Sequence, residues 1–201
     1  MAFGPSAGTV TLTPWLLRQA YAQGLFPMTD DGGVIRFYRS TCRALFPMTG
    51  AHVSRSLRKS MRQPGLAVVF DQDFEATVRA CIRPDWEGNW ISDDLIRLYL
   101  MIFREGWAHS VEVRWDGLLV GGLFGVAIGT CFCAESMFHR ETDMSKVALV
   151  HAVNHCRELG FTMFDAQVMN PHLARMGAVE VSEAEYSVRL GEALAGSTPW
   201  S

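Results

Sequence analysis

Two acidic residues of this chain directly follow apolar stretches that are typical of buried strands. Glu135 comes after Cys131–Ala134, and Asp165 comes after Phe161–Phe164. Moving an unpaired carboxylate out of water is costly, so a protein keeps such a group where it has a partner or a chemical task. These two acids are therefore the first candidates for a functional site.

Gln167 lies two residues after Asp165, which points both side chains to one side as long as the backbone stays extended. An ionised Asp beside a Gln amide can orient a nucleophile and accept or relay its proton. We therefore treat both residues as candidate catalytic groups. The alternative is that Asp165 only caps the turn into Asn170–Pro171.

Glu135 and Trp90 are each open to a functional and a structural interpretation. Glu135 can bind a substrate amine through a charge-assisted hydrogen bond, or it can form a buried ion pair with Arg140 or Lys146. Trp90 lies in a polar loop before a helix cap at Ser92. A tryptophan there can stack on a nucleic-acid base, or it can fill the edge of the core.

A basic helix is expected where the chain has no acids. Gly32–Phe70 contains no Asp or Glu but seven cations. Four of these share one helical face, at Arg55, Arg58, Lys59 and Arg62. With no acid to pair with them, they are suited to binding phosphates and so predict a polyanionic partner. The alternative is a basic face that is simply solvated.

The sequence predicts no metal site. The spacing of His151 and His155 resembles HExxH, but Ala152 stands where the motif has its acid. The five cysteines are odd in number and form no CxxC motif, which argues against a zinc site and a disulfide framework. Cys131 and Cys133 are expected to be small buried residues of a strand.

A cytoplasmic protein with no membrane partner is expected. Gly117–Ala134 is uncharged, but its five glycines and the turn dipeptides Asp116-Gly117 and Gly129-Thr130 favour two buried strands over a spanning helix. Met1–Pro14 lacks the basic and then apolar regions of a secretory signal.

The elements that must position these residues predict an α+β (mixed α/β) fold. A first helix is expected to have a Thr cap, Pro14 at its first position and an end near Gln23. Further helices are expected over 53–63, 74–81, 93–105 and 142–159, with a helical turn near 171–176. Strands are expected at 34–38, 67–70, 110–115, 118–128, 131–137, 161–165 and 179–181. The strands from 110 to 137 form a meander. We place a small N-terminal domain at 1–50 and the main domain at 51–201.

Nine segments of the chain, in the family's order, resemble the leucyl/phenylalanyl-tRNA–protein transferases. They are Ala20–Pro27, His52–Leu57, Asn89–Ile91, Ala108–Val113, Val120–Val126, Glu135–Phe138, Ser145–Lys146, Asp165–Gln167 and His172–Ala178. The segments cover most of residues 12–186, so the resemblance is far more specific than a single short motif.

The resemblance implies a GNAT-like acyltransferase domain after a small N-terminal domain. Such enzymes move Leu, Phe or Met from its tRNA to the N-terminal amine of proteins that begin with Arg or Lys, which marks those proteins for degradation. An aminoacyl ester is already activated, so the resemblance implies no cofactor and no metal. Catalysis then consists mainly of positioning two substrates and managing one proton.

The resemblance also implies roles for individual residues. Asp165 and Gln167 match the acid and amide that activate the acceptor amine, either directly or in a substrate-assisted route. Glu135 matches a position beside the aminoacyl pocket. The pocket is expected to be lined by Leu123, Phe132 and Leu149, the terminal adenosine to lie near Trp90 and Tyr21, and the tRNA acceptor end to bind Arg55, Arg58, Lys59 and Arg62.

The chain departs from the family pattern at a few positions. Arg36–Ser40 stands where the family carries a tryptophan-rich segment, and the stretch before Leu12 is short. Met28 and Ala152 stand where some relatives have aromatic residues. These differences bear on adenosine binding and on the amino-acid preference.

Two other functions are compatible with parts of this pattern. An acetyltransferase of this fold that uses acetyl-CoA needs a glycine-rich pyrophosphate loop before its main helix, but Glu135–Leu159 contains no glycine. A catalytically silent tRNA-binding module would keep the basic helix and would have no need of Asp165, Gln167 or Glu135.

Overall fold

The computed structural model describes residues 12–83, 89–198 and 200, and within these it confirms the mixed α/β class. The helices are α1 Pro14–Ala22, α2 Arg55–Ser60, α3 Phe74–Ala80, α4 Asp93–Arg104, α5 Met144–Leu159, α6 Pro171–Arg175 and α7 Glu183–Leu194. The strands are β1 Phe26–Thr29, β2 Ile35–Tyr38, β3 Cys42–Phe46, β4 Leu66–Phe70, β5 Ala108–Trp115, β6 Leu118–Ile128, β7 Cys131–His139, β8 Met163–Asp165 and β9 Val179–Ser182. Residues 1–11 of the predicted N-terminal domain lie outside the described part.

Seven strands form one large sheet in the order β4-β5-β6-β7-β8-β3-β9. Neighbouring strands are antiparallel except β7 and β8, which are parallel and connected through α5. The predicted meander is confirmed as β5-β6-β7. β1 and β2 form a separate antiparallel hairpin, in which Phe26 faces Tyr38.

The predicted elements did not include strand β1, strand β3 or helix α7. A loop was expected where β1 forms. β3 lies inside the large sheet, between β8 and β9. A five-residue strand without clear alternation gives a weak local signal, and its pairing partners are more than 100 residues further along the chain. The division of domains at residue 50 stays a prediction, and β3 on its N-terminal side pairs with strands of the main domain.

Helices cover both faces of the large sheet, because successive strand residues point to opposite sides. One core contains buried residues of α1, α3, α4 and α7, together with Phe124 of β6. The other contains buried residues of α2, α5 and α6, together with Leu123 of β6. The sheet therefore separates the N-terminal helix from the long helix α5.

The helix starts follow their capping residues. Thr13 caps α1 by accepting a hydrogen bond from Leu16 N at 3.3 Å, with Pro14 at the first position, as predicted. Helix α2 is shorter than the expected 53–63. Leu57, on the apolar face of this helix, is buried as that face predicts.

The uncharged segment forms the predicted buried strands. Asp116 and Gly117 turn β5 into β6, both with positive φ, and Gly129 (φ 56°) turns β6 into β7. At Gly121 a Cβ would lie 2.5 Å from Met144 Cβ, so the absence of a side chain lets α5 approach the sheet. Among the described helices, none is long and apolar enough to cross a membrane.

Candidate active site

A pocket of about 330 Å³ opens where the chain leaves β8, beside the middle of β7. Its wall is largely apolar, and a few polar groups converge on it. It is lined by Met28, Cys81, Arg83, Asn89, Trp90, Leu123, Ala134, Glu135, Ser136, Met137, Leu149, Ala166, Gln167, Val168, Asn170 and Leu173. A largely apolar cavity with few polar groups is the usual form of a small-ligand site.

Glu135 is the extra residue of a β-bulge. Across β6, Phe124 faces Ser136 and Gly125 faces Ala134, so Glu135 has no partner on the neighbouring strand. A Cβ on Gly125 would lie 2.4 Å from the Cys133 carbonyl oxygen, so only glycine fits opposite the bulge. A bulge re-aims the side chain it carries, which explains how a strand of the sheet presents a carboxylate to the pocket.

The two oxygens of Glu135 have different surroundings. Oε2 accepts a hydrogen bond from the Tyr99 hydroxyl at 3.0 Å, and that hydroxyl lies 3.1 Å from the hydroxyl of Tyr21. Oε1 is buried and has no hydrogen-bond partner among the described residues. The ion pairs foreseen as an alternative do not form, since Lys146 pairs with Asp143 and Arg140 donates to the Leu119 carbonyl.

Burial raises the pKa of Glu135 from 4.5 to about 7, against the lowering effect of the nearby polar side chains of Tyr21, Tyr99 and Gln167. The same burial, together with the charge of Glu135, raises the pKa of Tyr99 well above its usual range, so that the phenol stays a neutral donor. Glu135 therefore changes charge near neutral pH, where amines of peptide N-termini also titrate.

Gln167 stands in the left-handed region of the backbone, with φ 63°. A non-glycine residue there is strained by on the order of 1–3 kcal/mol and needs its surroundings to hold it. Its N–H donates to Asp165 Oδ1 at 2.8 Å, and its carbonyl accepts from Ala44 N at 2.9 Å. The side-chain Nε2 is buried and completes no hydrogen bond with a described residue, although the amide lies close enough to lower the pKa of Glu135.

Asp165 lies behind the pocket and is fully buried. Arg43 forms an ion pair with it, and its Nε donates to Oδ1 at 3.3 Å. The Tyr186 hydroxyl donates to Oδ2 at 2.9 Å. Because β8 ends at Asp165 and Gln167 turns left-handed, the extended backbone assumed in the sequence analysis does not persist, and only Gln167 of the two lines the pocket.

This arrangement places a buried acceptor, Glu135 Oε1, and a buried donor, Gln167 Nε2, on two residues that line one pocket, and neither atom completes a hydrogen bond with a described residue. Buried polar groups in folded proteins usually bind protein, water, an ion or a ligand, so these two atoms are available to a polar molecule that enters the pocket. The site suits a molecule that carries an amine and a carbonyl group next to an apolar side chain.

Comparison with known proteins agrees with this chemistry. The sequence model described as "Leucyl/phenylalanyl-tRNA protein transferase" matches residues 45–191, and the model for the N-terminal domain of the same proteins matches residues 11–40. The leucyl/phenylalanyl-tRNA–protein transferase of Rubrobacter xylanophilus is 51% identical over 184 residues, which is 91% of this chain and 95% of that protein. The chain belongs to this family.

Another leucyl/phenylalanyl-tRNA–protein transferase, from Cereibacter sphaeroides, is 46% identical and aligns with 94% of this chain and 89% of its own length. Among solved structures, a GCN5-related N-acetyltransferase from Kribbella flavida aligns with 78% of this chain and 56% of its own, at 13% identity and a TM-score of 0.43. That similarity concerns the fold alone.

The structure places the residues predicted for the family's aminoacyl and adenosine sites in different positions. Leu123, Leu149 and Trp90 line the pocket. Phe132 does not line it, because its ring is fully buried in the core and stacks on Trp200, with 5.3 Å between the ring centroids. Tyr21 does not either: it is 2% exposed and supports Glu135 from behind through Tyr99. We therefore correct these two positions, from the pocket wall and the adenosine site to the protein interior.

The four cations of α2 and its C-terminal turn, Arg55, Arg58, Lys59 and Arg62, are all exposed and line one shallow groove. They form no ion pair within the described part of the chain. Helix α2 is joined to α5 by a hydrogen bond of 3.1 Å from the Ser60 hydroxyl to Asp143. Helix α5 also contributes Leu149 to the pocket. It is therefore in contact with both the helix of the basic groove and the candidate active site.

The remaining cations of the acid-free stretch have partners. Arg36 pairs with Asp30, Arg39 with Glu183, and Arg43 with the buried Asp165. The basic surface is therefore narrower than the sequence suggested, and its free cations are concentrated at α2.

Three residues of the site escaped the sequence analysis: Arg43, Tyr99 and Tyr186. No local pattern marks a tyrosine that will hydrogen-bond to a carboxylate far along the chain. Arg43 did carry a signal, since it stands in the apolar run 42–46, where a lone arginine needs a buried partner. Within the described residues, no group of three or more His, Cys, Asp or Glu is placed to hold a metal ion.

Proposed function

We propose that this protein transfers Leu, Phe or Met from aminoacyl-tRNA to the N-terminal amine of proteins that begin with Arg or Lys. The observation that carries the proposal is that Glu135 Oε1 and Gln167 Nε2, two buried groups without a hydrogen-bond partner among the described residues, belong to residues that line one pocket of a chain in this family. The reaction needs no cofactor or metal, and we place it in the cytoplasm, where charged tRNA is found.

The pocket suits the aminoacyl side chain. Leu123, Met137 and Leu149 supply an apolar wall for a residue with an unbranched Cβ, such as Leu, Phe or Met. Shape can disfavour Ile and Val, but a single methyl group is worth only about 1–3 kcal/mol of discrimination.

The chemical step is aminolysis of an ester. The acceptor nitrogen bonds to the ester carbonyl carbon, the bond from that carbon to the ribose oxygen breaks, and the tRNA hydroxyl leaves with a proton. The Gln167 amide can orient the amine through its oxygen and the carbonyl through its nitrogen. Glu135, with a pKa of about 7, can hold the protonated amine or take up the proton that it loses.

The tRNA would bind along the α2 groove, where each phosphate contact adds affinity by releasing counterions. His172 directly precedes the pocket residue Leu173, and burial together with the nearby Lys146, Arg175 and His139 lowers its pKa.

The two alternatives have less support. In an acetyl-CoA enzyme the N-terminus of α5 would bind pyrophosphate, but here Asp143 occupies the N-cap and its carboxylate accepts from Lys146 at 2.6 Å. A silent tRNA-binding module would not need to leave Glu135 and Gln167 unsatisfied in a pocket.

The test is transfer of labelled leucine from Leu-tRNA to a peptide with N-terminal Arg, next to the same peptide with its amine acetylated. Transfer to the free amine alone is expected, with Phe and Met donors active and Ile much weaker. Peptides with N-terminal Lys, Ala and Glu then define the acceptor range. Absence of transfer together with tight, salt-sensitive tRNA binding would favour the silent module.

A further inference from the structure

The buried cluster behind the pocket suggests roles for two residues that do not reach it. Arg43 is 2% exposed and Asp165 fully buried. Tyr186 donates to the same carboxylate, and its hydroxyl also accepts from Arg43 Nη2 at 3.2 Å. A buried ion pair of this kind is not needed for stability, since apolar residues of similar volume often serve as well. Its retention beside a candidate site calls for another explanation.

The carboxylate of Asp165 connects this cluster to the pocket. Its Oδ1 accepts from Gln167 N, and that bond holds Gln167 in its left-handed conformation. The chain is also held by Ala44, which donates to the Gln167 carbonyl and accepts from Ala166 N at 2.8 Å. Arg43 and Ala44 are adjacent on β3, so one strand fixes both the Asp165 side chain and the Gln167 backbone.

Arg43 is itself firmly placed. Its Nη1 donates to the Gly24 carbonyl at 3.3 Å, and its guanidinium lies 4.5 Å from the Tyr186 ring and 5.1 Å from the Phe26 ring. It thus joins the end of α1, the β1 hairpin and α7 to the end of β8. A planar guanidinium that bonds a carboxylate through two nitrogens sets its orientation, which a lysine cannot do.

We propose that Arg43 and Tyr186 are positioning residues for the transfer reaction. They orient the Asp165 carboxylate, which binds the backbone N–H of Gln167 and so keeps the side-chain amide of Gln167 directed into the pocket. Both residues are buried and neither lines the pocket. The inference rests on the proposed function and adds to it the positioning roles of Arg43 and Tyr186.

The decisive variant is Tyr186→Phe, which removes one hydroxyl and keeps the ring. We expect kcat for Leu transfer to fall about tenfold with KM for Leu-tRNA unchanged, because small displacements of a reacting group reduce rates strongly. In a Gln167→Ala background the same change should cost less than about twofold, since there is no amide left to position. In Tyr186→Phe, the acid limb of the pH profile of kcat/KM for Leu transfer should lie at the same pH as in the wild type.

Arg43 is tested against a matched arginine. Arg39 pairs with Glu183 of α7 and donates to the Gln23 carbonyl at 2.9 Å, so it joins the same elements at the exposed surface. Arg43→Lys should lower kcat per folded molecule, and Arg39→Lys should leave it within about twofold of the wild type. Folding of every variant is checked by near-UV circular dichroism and thermal unfolding.

Three outcomes would contradict the inference while leaving the proposed function intact. The first is a Tyr186→Phe protein that is less stable but transfers at the wild-type rate per folded molecule. The second is an equal fold-loss from Tyr186→Phe with and without Gln167. The third is equal effects of the Arg43 and Arg39 variants. A wild-type protein that does not transfer Leu at all would instead overturn the proposed function and this inference with it.

Discussion

The Tyr99 hydroxyl donates to Glu135 Oε2 at 3.0 Å, while Oε1 of the same carboxylate has no hydrogen-bond partner in the part of the chain that the structure describes. One side of the carboxylate is thus held by the protein interior, and the other is left for a ligand. The hydrogen bond also opposes the effect of burial and keeps the pKa of Glu135 at about 7 rather than higher. Tyr99 is therefore one of the groups that, against burial, determine the pH at which Glu135 becomes charged.

Removing that hydroxyl should move the pH dependence of the reaction. Tyr99→Phe removes a hydrogen bond that favours the ionised carboxylate, so the pKa of Glu135 should rise above 7. A hydrogen bond to a charged group contributes about 1.5–3 kcal/mol, which corresponds to roughly one to two pH units. We expect the acid limb of kcat/KM for Leu transfer to shift upward by about one unit, measured from pH 5.5 to 9. The Tyr186→Phe protein is the matched control, and an unmoved limb in Tyr99→Phe would contradict the assignment.

Neutralising Glu135 should stabilise the fold and impair the reaction. Because its pKa is raised from 4.5 to about 7, the folded state binds the proton more tightly, and the free energy of unfolding falls as pH rises through that interval. Glu135→Gln should lack this fall and be more stable than the wild type at pH 8, by up to on the order of 3 kcal/mol. Transfer kcat/KM should drop about 100-fold. Urea unfolding at pH 5 and pH 8 gives the stability difference.

A second buried glutamate on the same sheet provides the control. Glu112 accepts from the Ser110 hydroxyl at 2.6 Å and from Asp73 N at 3.2 Å, and it does not line the pocket. Burial raises the pKa of Glu112 as it does that of Glu135, so Glu112→Gln should likewise lose the fall in stability with rising pH, but it should leave kcat per folded molecule unchanged. Equal loss of transfer in both variants would mean that Glu135 has only a structural role.

The carboxylates of the site could be found from the sequence because their signal is local. Glu135 interrupts an apolar strand and Asp165 ends one, and both are indeed buried. The direction of Asp165 could not be found, because it depends on Arg43, which lies 122 residues earlier. The left-handed turn at Gln167 is likewise imposed by Asp165 and Ala44 rather than by a glycine.

The fold shows the same division between local and distant causes. The meander and α5 follow from turn residues and apolar periodicity near each element, and their predicted bounds agree closely with the structure. Strand β3 forms because β8 and β9 are there to pair with it. Helix α7 is different, because its start has a local signal in the sequence. Ser182 and Glu185 have the spacing of a capping box, which predicts a helix that begins at this point.

Removing the charge of Asp165 should destabilise the protein strongly. Asp165→Ala leaves Arg43 buried without its partner, which typically costs about 3–5 kcal/mol. The double variant Arg43→Met with Asp165→Leu should recover much of that loss, because neither charge remains. Urea unfolding followed by tryptophan fluorescence measures both. Equal stability of the single and double variants would show that the ion pair is not what holds this region.

The basic groove should control tRNA affinity and leave the chemical step unchanged. Arg55→Ala with Arg58→Ala removes two exposed, unpaired cations, and each phosphate contact contributes about 0.7–0.9 to the slope of log affinity against log salt. We expect that slope to become shallower by about 1.5, with kcat at saturating Leu-tRNA within about twofold of the wild type. Filter binding from 50 to 300 mM salt, on the order of the range over which such contacts weaken, gives the slope. The control, Arg97→Ala with Arg189→Ala, removes the same charge from arginines already paired with Asp94 and Glu185. Equal changes in the two double variants would mean that tRNA responds to net charge and not to this groove.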